Sequence, residues 1–176
     1  GRLTEQKGQR HLLDAAVPIV SLFPDSHFLF LGEGELLASL TAQAKRNGVA
    51  DHIHFMGVRQ DVPDLLAAVD LFVLPSLWEG LSVALLEAMA AAKPIVATMV
   101  SGTTEAMIPG ETGVLVPPGD SGALGDAIAQ MLSDPARARR MGQSASRQVE
   151  TNFSAKKQAA EYLTLYRRLL RREGRS

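Results

Sequence analysis

The sequence predicts an α/β fold, a Rossmann-like doubly wound parallel sheet, and three observations carry that expectation. Short apolar runs alternate with longer helical patterns along the whole chain. Most of the runs lack polar–apolar alternation, which suits parallel strands covered on both faces. Gly or Pro bounds them, as turns at strand ends require.

The elements follow in order. Residues 7–22 read as a helix in which Pro18 removes a hydrogen bond to the Asp14 carbonyl, so a kink or break is expected there. Residues 27–32 (HFLFLG), 52–57 (HIHFMG), 70–75 (DLFVLP), 94–100 (PIVATMV) and 112–117 (TGVLVP) read as strands. Residues 35–47, 62–68, 83–92, 121–133, 135–151 and 155–172 read as helices. Asp120 and Ser154 are placed to cap two of these, and Asp134 before Pro135 is an N-cap with proline at the first helical position.

Composition bounds the rest. The 176 residues, 46% hydrophobic and 21% charged, suffice for a single domain spanning 1–176. A net charge of −1 advertises neither nucleic acid nor an anionic membrane. The absence of cysteine excludes disulfides and thiolate metal sites and fits a reducing compartment. The first ten residues are polar rather than a signal peptide, and no uncharged apolar run nears the ~20 residues of a spanning helix. A cytoplasmic protein is expected, with peripheral contact at the inner membrane face left open. In helix 155–172, Leu163, Tyr166 and Leu170 form a stripe for core or interdomain packing. Arg167, Arg168, Arg171, Arg172 and Arg175 form a solvated face or a membrane-surface one.

Residues 75–97 (PSLWEGLSVALLEAMAAAKPIVA) carry the chemistry. A strand ends at Pro75, a loop holds Trp78, Glu79 and Gly80, and a helix starts near Ser82. Its free first-turn N–H groups suit an anion, and Gly80 leaves the backbone open to a ligand. Glu87 sits among Val, Ala, Leu and Met, so a buried helix and a partnered carboxylate are expected. The partner is either a nearby N–H or cation, or a ligand's hydroxyl pair; spacing alone does not choose. Trp78 reads as pocket wall or core.

Glu79 and Glu87, seven residues apart in W-E-G…L-L-E-A-M-A…P-I-V-A with Pro75-Ser76 before them, resemble the signature of family-4 (group 1) retaining glycosyltransferases of GT-B fold. Gly1-Arg2-Leu3…Lys7-Gly8 resembles that family's G-R-L-x-x-x-K-G segment. Thr103-Thr104-Glu105, residues 109–113 (PGETG) and residues 117–120 (PPGD) extend the similarity over nearly the whole chain. The resemblance implies a nucleotide-sugar-binding, C-terminal domain that acts without metal or other cofactor. It implies that Arg2 and Lys7 hold the donor diphosphate, Glu79 the sugar and Glu87 the ribose. Backbone at Gly80, Leu81 and Ser82 would assist, with Leu86 beside Glu87. A turn at Gly32 and Gly34 would face the donor cleft, and Gly57 and Val58 the base. From the residues alone, Arg2 and Lys7 also read as surface cations, although Lys7 at a helix start opposes the dipole. Gly32-Glu33-Gly34 also reads as a tight strand–helix turn.

Ala92 stands where the family usually has Gly, Ser101 and Thr104 replace its Gly and Pro, and Ala155 replaces an aromatic; the 101–104 loop is expected to differ in shape. The further expectation is a fragment inactive alone, because the first, central strand and an N-terminal acceptor domain are missing. The alternatives are another GT-B enzyme, such as a nucleotide-sugar epimerase, and a non-catalytic α/β nucleotide-binding module. His52 and His54 share a strand face but lack acidic or cysteine ligands nearby, so no metal site is expected.

Overall fold

The computed structural model describes residues 1–173. Arg175 lies outside the described residues, as do the side chains of Arg171 and Arg172. A 3₁₀ turn at Glu5–Lys7 precedes α1 (Gln9–Leu22), then β1 (Phe28–Leu31), α2 (Leu37–Arg46), β2 (Ile53–Gly57), α3 (Val62–Ala68) and β3 (Phe72–Leu74). The second half holds α4 (Val83–Ala90), β4 (Ile95–Thr98), α5 (Ser101–Ala106), β5 (Val114–Val116), α6 (Ser121–Ser133), α7 (Pro135–Asn152) and α8 (Ala155–Glu173).

All strand pairings are parallel, and they form two ladders: β1 with β2, and β3–β4–β5. The sheet is therefore interrupted between β1 and β3. Strand β4 is buried throughout. Its Val96 packs into a core built with α1, α2 and α6, while Ile95 and Ala97 pack into a second core with α3, α4 and α7. A strand covered on both faces has no polar face to alternate, which explains the unbroken apolar run.

The expected caps are present. Asp120 accepts from Ala123 N at 2.9 Å, Asp134 from Arg137 N at 2.9 Å, and Ser154 Oγ from Lys157 N at 3.3 Å. Three local features differ from the reading of the sequence. Helix α1 continues through Pro18 without a break, with Asp14 and Pro18 both on its exposed side. Residues 101–104 form the first turn of α5 rather than a loop. Lys7 does not open α1; it ends the separate 3₁₀ turn, and Gly8 in the left-handed region (φ 63°) divides the two. A cation at that C-terminal end agrees with the dipole instead of opposing it.

Candidate functional site

The residues singled out from the sequence gather at the carboxyl ends of the strands. The segment from Gly1 to Gly8 crosses two of those ends. At β1, the Gly1 amine donates to Leu31 O at 2.7 Å and Leu3 N to Glu33 O at 2.9 Å. At β3, Leu77 N donates to Gln6 O at 2.8 Å and Gln6 Nε2 to Trp78 O at 3.0 Å. Glycines permit this approach. A Cβ on Gly32 would lie 2.0 Å from Gly1 O, one on Gly34 2.3 Å from Leu3 O, and one on Gly8 2.0 Å from Pro75 O. The G-x-G turn thus has a packing role in seating the Arg2 segment. Gly32 N also donates to Gly57 O at 2.7 Å, which ties in the loop after β2. Beyond it Val58 is 70% exposed.

Seated this way, Lys7 meets Glu79. The ammonium lies 2.5 Å from Glu79 Oε2, with side chains 21% and 11% exposed. The same oxygen accepts from the fully buried Ser76 at 3.1 Å. The Glu79 main chain is fixed too, because its carbonyl accepts from Gly102 N and Ser101 Oγ, both at 3.1 Å. Thr98 Oγ1 donates to Ser76 O at 2.5 Å, and Thr103 Oγ1 to Thr98 O at 2.5 Å, so a buried hydroxyl chain braces the loop from β4 and α5. Ser76, Thr98 and Ser101 were not candidates in the sequence. Isolated hydroxyls give no spacing signal, and only the neighbourhood of Pro75-Ser76 pointed to the first of them.

Helix α4 opens at Ser82, whose side chain makes no capping bond. The first-turn N–H groups of Val83, Ala84 and Leu85 therefore have no cap partner, and no atom lies within 4 Å of where a Gly80 Cβ would stand. The mouth of this helix is open, and its dipole and free N–H groups would favour an anion there. Leu81 is exposed and Leu86 half-buried beside it.

Glu87 differs from expectation. It is exposed and makes no hydrogen bond or ion pair among the described residues. Helix α4 is buried on the Leu85, Ala88 and Met89 face, while Val83, Glu87 and Ala90 form an open stripe. A helix that short, lying at the edge of a cleft, carries apolar residues on its open side without being buried all round. Trp78 is likewise 56% exposed rather than core. Arg2 is exposed and has no ion pair among the described residues. The Gly1 amine, Lys7, Glu79 and Glu87 share one neighbourhood. Burial, then the Lys7 ammonium, holds the Gly1 amine below its usual 8.0, while Glu87 and Glu79 pull it upward.

At the opposite strand ends, His54 Nε2 lies 3.0 Å from His27 Nδ1, a neighbour the sequence did not suggest. Among the described residues no group of three or more His, Cys, Asp or Glu could hold a metal ion.

A family model described as "Glycosyl transferases group 1" matches residues 1–134. The lipopolysaccharide core biosynthesis mannosyltransferase LpsB of Rhizobium meliloti is 33% identical over 97% of this chain and 51% of its own length. The glycosyltransferase EpsD of Bacillus subtilis, described as putative, is 32% identical over 93% of this chain and 43% of its own. The chain spans about half the length of these curated relatives. Among solved structures, the C-terminal domain of the group 1 glycosyl transferase LpcC from Francisella tularensis superposes with a TM-score of 0.81 at 27% identity, covering 88% of this chain and 84% of that one. Anabaena Alr3699/HepE, solved in complex with UDP, superposes with a TM-score of 0.86 at 29% identity, covering 93% and 47%. The α/β layers, the parallel strands and the family match agree: this chain belongs to the group 1 glycosyl transferases.

Proposed function

We propose that this chain is the donor-binding part of an enzyme that transfers a sugar from a nucleotide-diphosphate sugar to an acceptor, with retention at the sugar carbon and without metal. The observation that carries this reading is the convergence of the Lys7–Glu79 pair, the uncapped mouth of α4 and the unpaired Arg2 and Glu87 at one set of strand ends. A diphosphate needs cations and oriented N–H donors together, and its negative charge grows as the bond to the sugar breaks. Arg2 and Lys7 supply the cations, with backbone N–H groups at Gly80, Leu81 and Ser82 beside them. Glu79 meets sugar hydroxyls and Glu87 the ribose pair, with Leu86 next to it. Gly57 and Val58 lie under the base, and Gly32 and Gly34 hold the Arg2 segment in register. Crystals of HepE with UDP-glucose, 30% identical to this chain, support a donor of that class.

The acceptor and the closing wall of the cleft belong, on this reading, to a second domain. Transfer in a half-open cleft loses both orientation and water exclusion, so the chain alone is expected to bind nucleotide and not to transfer. Tyr162, Leu165, Tyr166 and Leu169 on α8 are 46–58% exposed at helical spacing and suit contact with that domain. None of the described helices is long and apolar enough to cross a membrane. A cytoplasmic site of action, with contact at the inner membrane face, is consistent with this reading.

Trp78, the only tryptophan, adjoins Glu79 and reports binding by its fluorescence. Titration with UDP, GDP and the corresponding nucleosides tests the proposal. Diphosphates should bind at least tenfold more tightly than nucleosides, and Arg2→Ala should remove most of that difference. Equal binding of diphosphate and nucleoside by the parent chain would refute the reading.

A further inference from the structure

Strand pairing gathers three of the chain's four histidines on one face of the β1–β2 ladder. Residues in register across a parallel ladder point to the same side, and alternate residues along a strand share it. Phe28, Phe30, Ile53 and Phe55 turn to the core built with α1, α2 and α6. His27 and Leu29 therefore turn the other way, with His52 and His54 beside them. That face is open: His27 and Leu29 are exposed, and His52 and His54 half-buried. His27 packs against both of its neighbours, its ring centroid 5.0 Å from that of His54 and 5.6 Å from that of His52. His27 Nδ1 and His54 Nε2 lie 3.0 Å apart. A hydrogen bond between them needs one proton, so one of the two nitrogens keeps its lone pair aimed at the other. The outer nitrogens, His27 Nε2 and His54 Nδ1, have no protein partner among the described residues. Each neutral ring can carry its proton there and turn its inner lone pair to a shared third atom. His52 is held differently. Its Nδ1 lies 2.9 Å from the Ser26 carbonyl, which only accepts, so Nδ1 donates and the ring on which His27 stacks is fixed.

We infer that His27 and His54 form a two-imidazole clip for a divalent cation of the zinc, nickel or copper class, with water completing the coordination. Metal–nitrogen bonds of ~2.0–2.1 Å place two donors ~2.8–3.4 Å apart, from square-planar to tetrahedral angles. The 3.0 Å between the two nitrogens lies inside that range, so the cation enters by a change of ring orientation while the strands stay in place. The surroundings favour positive charge. Residues 25–29 and 50–56 carry Asp25 and Asp51 and neither Lys nor Arg. Imidazole selects zinc-class ions, whereas magnesium and calcium take oxygen donors. No group of three ligands is present among the described residues, so the clip has two protein donors and binds more weakly than a four-ligand structural zinc site. It fills and empties with metal supply, and when filled it ties β1 to β2. The inference is independent of the sugar-transfer reading, because the clip lies at the strand ends opposite Lys7 and Glu79 and takes no part in transfer.

The test titrates the 176-residue chain with zinc chloride in a calorimeter, with magnesium chloride as the comparison. Zinc should bind at a single site and magnesium should not bind. His27→Ala and His54→Ala should each weaken zinc binding by about tenfold or more. His11→Ala, which removes the fourth histidine, should leave zinc affinity within about twofold of the parent. In the parent chain zinc should shift the imidazole NMR signals of His27 and His54 and leave that of His11 in place, a readout that stands even where a variant folds poorly. Zinc at about a hundredfold excess over its dissociation constant should raise the midpoint of thermal unfolding by about 5 °C or more. Zinc affinity in both His27→Ala and His54→Ala equal to that of the parent would overturn the inference, as would imidazole signals of His27 and His54 that do not move. A loss in His11→Ala as large as in the other two variants would also overturn it, because scattered surface histidines would then hold the metal.

Discussion

Breaking the Lys7–Glu79 pair should destabilise the fold more than a surface ion pair would, and the structure sets the size of the effect. Removing one partner of a fully buried pair costs about 3–5 kcal/mol, whereas exposed pairs are worth about 0–1 kcal/mol. Side-chain exposures of 21% and 11% place this pair between those limits, and Ser76 remains to serve Glu79. Lys7→Met should therefore cost about 1–3 kcal/mol by leaving a carboxylate with one hydroxyl donor. Glu79→Gln should cost about as much by stranding the ammonium. The double variant should lose clearly less than the sum, with a coupling of about 1–2 kcal/mol, since neither charge is then left alone. Urea unfolding followed through Trp78 measures all four corners of the cycle. Single variants within about 0.5 kcal/mol of the parent, or losses that add within that margin, would refute the claim that the pair is a partly desolvated unit.

Glu87→Ala should leave unfolding unchanged within about 0.5 kcal/mol, because the carboxylate is exposed and unpaired, while UDP affinity falls at least tenfold; a change in stability without a change in affinity would reverse the assignment. Gly34→Ala should destabilise by about 2 kcal/mol or more, since its Cβ would stand 2.3 Å from the Leu3 carbonyl and backbone must move, and diphosphate binding should weaken with it. Ala92→Gly should stabilise by about 0.5–1 kcal/mol in thermal melts, because Ala92 holds φ 53° at the left-handed stop of α4, a conformation costing about 1–2 kcal/mol for an L-residue against a smaller unfolded-state penalty for glycine. With a free Gly1 amine, stability should rise with pH in the window just below 8.0: the folded chain holds the amine at a lowered pKa, so the unfolded chain binds more protons there. That contribution is present above 8.0 and is lost as pH falls through the lowered value; acetylating Gly1 should flatten this slope.

The parts of the fold that were readable from sequence are those whose cause is local. Caps at Asp120, Asp134 and Ser154 depend on a side chain and an N–H three residues on, and all three formed. Strand positions depended on apolar runs between Gly and Pro, and all five lie inside the expected spans with frayed residues removed at the ends. What failed depended on which way a face points. The Val, Ala, Leu and Met around Glu87 look the same whether a helix is enclosed or lies at the rim of a cleft. Helix α5 was hidden because its six residues, SGTTEA, carry no apolar period, and it forms where Thr103 can bond both Val100 O and Thr98 O. The Lys7–Glu79 contact joins residues 72 apart, and nothing in local pattern measures that distance. The family resemblance paired the two residues with one ligand, not with each other.

The physical route from sequence to site runs through glycine rather than through the charged residues. Arg2 and Lys7 sit on a segment with one short 3₁₀ turn and no strand, so nothing local fixes them. Their positions come from three close backbone approaches, at Gly8, Gly32 and Gly34, where any Cβ would collide with a main-chain oxygen. A fourth such approach, Gly102 against Gly80 O, holds the Glu79 loop from the other side. The segments that carry the cations and the carboxylate are thus set by main-chain packing at four glycines. On the proposed donor-binding reading, Lys7 would exchange Glu79 for a phosphate while the backbone packed at these glycines stays in place. That division, a rigid main chain carrying exchangeable charges, is what a site needs if it must meet a diphosphate before and after a bond to it breaks. It also accounts for Glu79 being braced twice through its carbonyl, by Gly102 and Ser101, while its carboxylate is held by one ammonium and one hydroxyl.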